Sequence, residues 1–212
     1  MNILQKTIAK GHALYDELGP GVQMAILYGV PALAVFVIWW FYNKRTSPVT
    51  TALKLVGNVQ DANGRFSDTN FESALKSFGW FHGVSWCAYF VKMVFETTYP
   101  KKVAQLRTII NPYVLTMWNN AKKDTTGFAK TSTVPVVGSI VCWKSSVGGG
   151  HTGIVTKVNG QNFETVEGNT SAKGSDAVSI QNGHGVYHKI KHSTAEYNSP
   201  TMKLLGFIVL NL

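Results

Sequence analysis

Charged residues are scarce in this chain of 212 residues. Only 15% are Asp, Glu, Lys or Arg, whereas a typical soluble domain carries about 25%. Cysteine is scarcer still: the chain has only two, which excludes a disulfide framework. The sequence also contains no internal repeat and no low-complexity tract. Apolar residues make up 45% of the chain, which excludes intrinsic disorder as its main state. A shortage of charge in a chain that can fold indicates a segment that does not lie in water.

The charge that is present is strongly basic. The net charge is +9, and all of the excess lies beyond residue 43, because Lys6 and Lys10 cancel Asp16 and Glu17 before that point. A basic domain suits an anionic partner such as nucleic acid, lipid headgroups or an acidic cell-wall polymer. The basic residues are scattered and no nucleic-acid recognition motif is present, so we expect no specific nucleic-acid partner.

Residues 18–43 contain no charge, and their most apolar part is 22–42. At ~1.5 Å per residue, a helix over 22–42 spans about 31 Å, which matches the hydrocarbon core of a bilayer. Residues typical of a membrane interface stand at its end: Trp39, Trp40, Tyr42, Lys44 and Arg45. The length and the aromatic end argue against a buried soluble helix, and the lack of a small-residue cleavage site argues against a signal peptide. The sequence predicts a single uncleaved transmembrane helix over 22–42 in an N-terminal segment 1–46, followed by a domain over 47–212.

Hydrophobic periodicity in that domain predicts helices first and strands second. Helices are predicted over 48–57, 69–78, 86–97 and 111–122. Strands are predicted over 139–143, 152–158, 162–166, 185–192 and 204–210, and Asn159-Gly160 is a hairpin turn signal between the second and third of them. The predicted fold class is therefore α+β, with helices followed by an antiparallel sheet.

Cys87 lies in the first turn of the third predicted helix. Backbone N–H groups and the helix dipole at that position favour a thiolate, which is the nucleophilic form of cysteine. A lone cysteine among aromatic residues also fits a buried structural cysteine, so Cys87 by itself leaves both interpretations open. Cys142 lies in the middle of an apolar strand, and we predict that it is a core residue with no disulfide to Cys87.

His151 opens a predicted strand directly after three glycines. Glycine lets another part of the chain approach closely, and Gly153 would keep the space beside the imidazole free. The predicted hairpin pairs this strand with the one that leads to Glu167 and Asn169, which alternation places on one face. A polar group there can accept the imidazole N–H and hold its tautomer. Taken singly, His151 also fits a loop residue, and Glu167 and Asn169 also fit an exposed turn.

The order Cys, His and then Glu or Asn along the chain is that of papain-like hydrolases. On this pattern the sequence resembles the CHAP domain, a family of cysteine- and histidine-dependent amidohydrolases and peptidases, over roughly residues 48–212. The motifs that carry the resemblance are W-C-A-Y-F at 86–90, P-V-V-G-S-I-V-C-W at 135–143, G-G-H-T-G-I-V at 149–155 and V-E-G-N-T at 166–170.

The resemblance implies a papain-like fold and cleavage of amide bonds in peptidoglycan without a cofactor. It implies that Cys87 is the nucleophile, His151 the base and Glu167 the residue that orients the base, with Asn169 as a second candidate for that role. The spacing of His184, His188 and His192 would suit a metal site on a helix, but their surroundings are Gly-rich and strand-like. We therefore predict no metal site.

Two functions remain open at this point. The first is a membrane-anchored peptidoglycan hydrolase, such as a phage or virion-associated lysin, and the alternative is a catalytically idle, membrane-anchored structural or binding protein on the same fold. Lys44 and Arg45 favour a cytoplasmic domain, whereas a wall hydrolase works outside the cytoplasmic membrane. We expect a single-pass protein either of the bacterial inner membrane, facing the periplasm, or of the membrane of a virus particle. In a particle, a viral capsid or other membrane proteins would be partners in addition to the lipid bilayer and peptidoglycan.

Overall fold

Helices come first and strands second along the part of the chain that this computed structural model describes, residues 47–172 and 183–212. The helices in those ranges are α1 (Pro48–Leu53), α2 (Thr69–Ser77), α3 (Cys87–Thr98), α4 (Val103–Ile109) and α5 (Val114–Lys123), with a 3₁₀ helix at Pro100–Lys102. Side-chain caps fix two of the starts. The Ser47 hydroxyl accepts from the N–H of Thr50 to cap α1, and the Asp68 carboxylate accepts from two N–H groups of α2.

The strands of the described ranges form a single antiparallel sheet. They are β1 (Ala129–Ser132), β2 (Ile140–Ser145), β3 (Gly150–Asn159), β4 (Asn162–Thr170), β5 (Gly185–Ser193) and β6 (Met202–Leu210), and a second 3₁₀ helix covers Thr194–Asn198. Their order in the sheet is β1-β6-β2-β3-β4-β5. The turn that Asn159-Gly160 predicts joins β3 to β4, with Gly160 at φ 60°. The predicted α+β class, with helices before an antiparallel sheet, is confirmed.

One α-helix and one strand, besides the two 3₁₀ helices, are absent from the sequence-based prediction. Helix α4 has seven residues, of which Leu106 and Ile109 are buried. Two turns of helix are too short to show a helical period clearly. Strand β1 has four residues and pairs with β6 at the edge of the sheet, where only Ala129 is buried. Neither element alters the order of the predicted ones.

The sheet separates two hydrophobic clusters. On the helix side, residues of α3 such as Phe90 and Val94 pack in one cluster with Ile154 of β3 and Val166 of β4. The other face carries a smaller cluster whose members come from the strands: Val141, Trp143, Val155, Phe163, Met202, Leu204 and Phe207. Helix α3 is therefore fixed by apolar burial against the two strands that carry the predicted histidine and acidic residue.

A glycine lets the start of α3 contact β4 closely. A Cβ atom at Gly168 would lie 2.7 Å from Cβ of Phe90 and 2.7 Å from the Trp86 ring. Such distances are too short for any side chain, so residue 168 must be glycine if α3 is to keep this position. The first turn of α3 is held against the stretch of β4 that contains Glu167 and Asn169.

The predicted transmembrane helix over residues 22–42 lies outside the described residues. Residues 47–212 form a compact unit of their own. Among the described residues, no helix has the length and apolar character that are needed to cross a bilayer.

Candidate active site

Cys87 is the first residue of α3, as the sequence predicts. Cys87 is 4% exposed, and the residue before it, Trp86, is the N-cap of the helix. Because the first N–H groups of a helix have no acceptor within the helix, the thiol lies where backbone donors are concentrated. Cys142 is a free thiol as well, but it is fully buried on β2, and burial raises the pKa of Cys142 to about 12. Of the two cysteines, only Cys87 has surroundings that suit a nucleophile.

His151 lies near the start of β3 and is completely buried. It pairs with Trp143 of β2, whereas the ladder between β3 and β4 ends at the pair Ile154 and Val166. His151 therefore lies beyond the end of that ladder, which allows the first turn of α3 to approach its ring. The imidazole is 2.9 Å from Glu167, between Nε2 and Oε2, and the carboxyl group is completely buried too.

The second nitrogen of the ring, Nδ1, is not engaged by Glu167. His151 Nδ1 is buried and has no hydrogen-bond partner among the described residues. The Cys87 thiol is nevertheless close enough to act on the ring: burial lowers the pKa of His151, but the Cys87 thiol and the Glu167 carboxylate outweigh it and raise that pKa to about 9. Catalytic hydrogen bonds are often poorly aligned in the absence of substrate. The arrangement is that of a thiol and an imidazole poised to exchange a proton.

Gly153 makes room for Glu167 rather than for the imidazole itself. A Cβ atom at Gly153 would lie 2.6 Å from Cγ of Glu167 and 3.0 Å from the Val166 carbonyl oxygen. Gly150 has a comparable role at the helix side, where a Cβ atom would lie 3.1 Å from Cβ of Val114 in α5. Close packing thus explains the glycines at residues 150 and 153 on either side of His151.

Asn169 does not continue the alternation that places it beside Glu167. Its φ of 57° is in the left-handed region, and the register between β4 and β5 shifts between Glu167 and Thr170. The regular alternation on which the prediction of a shared face depends is therefore interrupted between the two residues. The structure brings Glu167 to the imidazole, and Asn169 lies nearby at 5% exposure with its carbonyl oxygen accepting from Gly183.

The residues that bind Glu167 at Oε1, the oxygen that does not bind His151, are absent from the predicted site. Thr165 donates to Glu167 Oε1 at 2.5 Å, and His192 Nε2 lies 2.8 Å from the same oxygen. Glu196 of the second 3₁₀ helix binds the other nitrogen of His192. A cavity of about 660 Å³ borders this side of the site and is lined in part by Trp143, His151, Glu167, His192 and Glu196.

Regular alternation along β5 does not predict that His192 lies beside Glu167. Val166 pairs with His188 and Thr165 with Lys189, but Phe163 pairs with His192. Between the last two pairs, one residue of β4 therefore lies opposite two residues of β5. This bulge turns His192 to the face of the sheet that carries Thr165 and Glu167. No periodic pattern in the sequence reports such an insertion.

The electrostatics of the cluster favour the charged forms of Glu167, His151 and His192. Burial raises the pKa of Glu167, but His192 and His151 hold it well below the usual range of a glutamate. Burial lowers the pKa of His192, but Glu167 and then Glu196 raise it to about 10. Within the described residues, no set of three or more His, Cys, Asp or Glu is arranged to hold a metal ion. The direct N···O contacts at Glu167 are those of hydrogen bonds between imidazolium groups and a carboxylate.

The fold and the Cys-His-Glu geometry define a candidate cysteine-dependent site on an α+β domain. The family model described as the CHAP domain matches residues 79–169, a range that contains Cys87, His151, Glu167 and Asn169. This match over part of the chain confirms the resemblance to the CHAP domain seen in the sequence motifs. Comparison with curated proteins and with solved structures gives no match.

We predict that Glu167→Gln destabilises the domain by about 3 kcal/mol at neutral pH, because it removes the charge from a buried ion pair. A histidine whose pKa is raised by folding adds stability that is complete below its unfolded value of about 6.5. That stability is lost as the pH rises through about 9 and about 10, the values for His151 and His192. Urea unfolding of the wild type should show this fall in stability, and the variant should show a flatter dependence.

Glu164→Gln is the matched control. Glu164 lies on the same strand, but it pairs with Lys157 and His188 at a partly exposed position. We expect its loss to change the free energy of unfolding by less than about 1 kcal/mol. Equal effects of the two variants, or a wild-type stability that does not change between pH 7 and 10, would contradict the account of the buried pair.

Proposed function

We propose that this chain is a cell-wall hydrolase that cleaves an amide bond in peptidoglycan with Cys87 as nucleophile. The CHAP domain suggests amidase or peptidase activity on this polymer. The single observation that carries the proposal is the buried His151, which bonds to the Glu167 carboxylate through Nε2 and lies close enough to the Cys87 thiol for that thiol to raise the pKa of the ring. An imidazole held in this way can take the thiol proton and return it during the reaction.

The first half of the reaction forms a thioester. With the Cys87 proton already on Nδ1 of His151, the thiolate attacks the carbonyl carbon of the amide. As the C–N bond breaks, the imidazolium donates that proton to the leaving amine. The Glu167 carboxylate stabilises the imidazolium through Nε2 and keeps the ring in the orientation that both transfers need.

The second half restores the enzyme. His151, now neutral, removes a proton from a water molecule, and the resulting hydroxide attacks the thioester carbonyl. The carboxylic acid product leaves, Cys87 departs as the thiolate, and His151 keeps the proton taken from water, so the thiolate–imidazolium pair is restored. The backbone N–H of Cys87, at the first position of α3, is proposed as one donor to the oxyanion in both steps, because it has no acceptor within the helix.

The charge of the chain fits an anionic polymer as substrate. The net charge is +9, and its whole excess lies in the part of the chain that follows residue 43. Long-range attraction of this kind concentrates the enzyme on an acidic surface and falls with ionic strength. It supports a wall substrate without selecting the bond that is cut.

We predict that Cys87→Ala lowers the rate of wall hydrolysis by more than about a thousandfold while the fold persists, because the nucleophile is lost and the change in side-chain volume is small. The assay is the release of soluble fragments from purified peptidoglycan by the full chain in detergent, and circular dichroism reports the fold. Mass spectrometry of the fragments then separates an amidase from an endopeptidase.

Cys142→Ala is the control for loss of a buried cysteine. Cys142 is completely buried and, unlike Cys87, is not among the groups that shift the pKa of His151, so its variant should keep hydrolysis at a rate similar to wild type. Hydrolysis by the Cys87 variant would contradict the proposed nucleophile. A folded wild type that binds walls without cutting them would instead favour the alternative of a catalytically idle, membrane-anchored binding protein.

We further propose that residues 22–42 anchor the domain in a bilayer, with the domain on the side that faces the wall. The uncharged stretch and the aromatic and basic residues at its end support the anchor. The membrane is either the bacterial inner membrane or that of a virus particle whose lysin opens the wall. A wall substrate requires the outward orientation in both settings, against the weak bias from Lys44 and Arg45.

We predict that the full chain expressed in bacteria stays in the membrane fraction after carbonate extraction, because a spanning helix is removed only by detergent. Protease added to spheroplasts should degrade residues 47–212, whereas inverted vesicles should protect them. Extraction by carbonate would overturn the anchor, and protection in spheroplasts would overturn the outward orientation. Protease treatment of intact virus particles distinguishes the viral setting.

A further inference from the structure

The hydrogen bonds of Glu167 continue beyond the predicted catalytic residues. Its Oε2 binds His151, and its Oε1 binds both Thr165 and His192. Since the carboxyl group is completely buried, these three donors take the place of water around it. His192 is the one of the three that can bring a positive charge to the side of the carboxylate opposite His151.

The position of His192 is fixed at both of its nitrogens. Nε2 lies 2.8 Å from Glu167 Oε1 and Nδ1 lies 2.9 Å from Glu196 Oε1. Only the doubly protonated ring can donate to two carboxylates at once, so this geometry demands an imidazolium. Glu196 in turn accepts from the indole N–H of Trp143 at 2.7 Å.

Aromatic packing holds the same ring in its plane. His192 stacks on Phe163 at a centroid distance of 5.3 Å and an interplanar angle of 19°. His192 also contacts the ring of Trp143, at a centroid distance of 5.0 Å. The bulge in β5 is what brings the ring to this face of the sheet, and both His192 and Glu196 lie outside the matched range 79–169.

We propose that His192 is a positioning residue that acts on His151 through Glu167, by fixing the shared carboxylate and sharing its negative charge. This rests on the proposed roles of Cys87, His151 and Glu167. Two imidazolium groups on one carboxylate compete for its charge, so His192 keeps the proton affinity of His151 below the value that an unshared Glu167 would give. The second histidine thereby tunes the base that exchanges a proton with Cys87.

The charged groups that face His192 come from two elements. Glu167 approaches from β4 and Glu196 from the second 3₁₀ helix, and His151 of β3 is reached only across Glu167. On β5 itself, His188 bonds to Glu164 and the Lys189 ammonium donates to the Ser171 carbonyl. Titration of His192 is therefore governed by the two carboxylates that it contacts.

The test is the pH profile of Cys87 alkylation by iodoacetamide in the full chain in detergent, followed by mass spectrometry of the cysteine peptides. The thiolate–imidazolium pair lasts until His151 loses its proton, so the profile has an upper inflection at the pKa of His151. His192→Gln keeps a donor for Glu167 but removes the positive charge. We expect the upper inflection to rise by about one pH unit, the usual size of the effect of one nearby charge.

His188→Gln is the matched control, since it removes a histidine of the same strand that bonds to Glu164 instead. It should leave the inflection at the wild-type pH. Glu196→Gln is a second variant for the case in which His192→Gln does not fold: it weakens the charge on His192 and should move the inflection upward by a smaller amount.

An unchanged inflection in both the His192 and the Glu196 variants would overturn the proposal, even if both lost stability, because a purely structural role does not move a titration. A wild-type Cys87 that is not alkylated, or an equal shift in His188→Gln, would overturn it as well. The readout needs no wall substrate, so a wild type that fails to cut peptidoglycan refutes the proposed function while the alkylation profile still decides the role of His192.

Discussion

A carboxylate enclosed away from water is the constraint on which the candidate site depends. Removing the charge of Glu167 from solvent costs several kcal/mol unless the lost hydration is replaced. The replacement comes from two imidazoles and one hydroxyl, those of His151, His192 and Thr165, all at hydrogen-bond distance. Because each donor stabilises the ionised form, the carboxylate keeps its charge and the imidazoles keep their protons. The His151 ring is consequently held with Nε2 on Glu167 and with Nδ1 left for Cys87.

The backbone provides the room that this cluster needs. Gly153 leaves space for the side chain of Glu167, and Gly168 allows the first turn of α3 to contact β4 directly. The position of α3 on the sheet and the position of the buried Glu167 side chain thus depend on each other. A longer side chain at residue 168 would move Cys87 away from His151 even though it touches neither residue. Catalytic geometry in this domain is a property of close helix–strand packing as well as of the reacting groups.

The sequence predicts the parts of this arrangement that follow from regular periodicity. Helix α3 with Cys87 at its start and the hairpin of β3 and β4 can be read from apolar spacing and turn residues, and so can the nearness of Glu167 to His151. The role of His192 cannot, because a bulge in β5 reverses the face that alternation assigns to it. The backbone of Asn169 departs from alternation in a similar way, through its positive φ. Irregular backbone at the site determines which polar side chains come into contact. The alternation of apolar and polar residues in the sequence does not predict such irregularities.

We infer that Glu167 holds two imidazolium groups, one of which faces Cys87, the proposed nucleophile. A ¹⁵N NMR titration of the histidine rings in the full chain tests this most directly, since the nitrogen shifts report protonation of each ring. The account predicts that His151 and His192 remain protonated at pH 8 and titrate near their pKa values of about 9 and about 10. Titration of either ring near the ordinary histidine value of about 6.5 would contradict it.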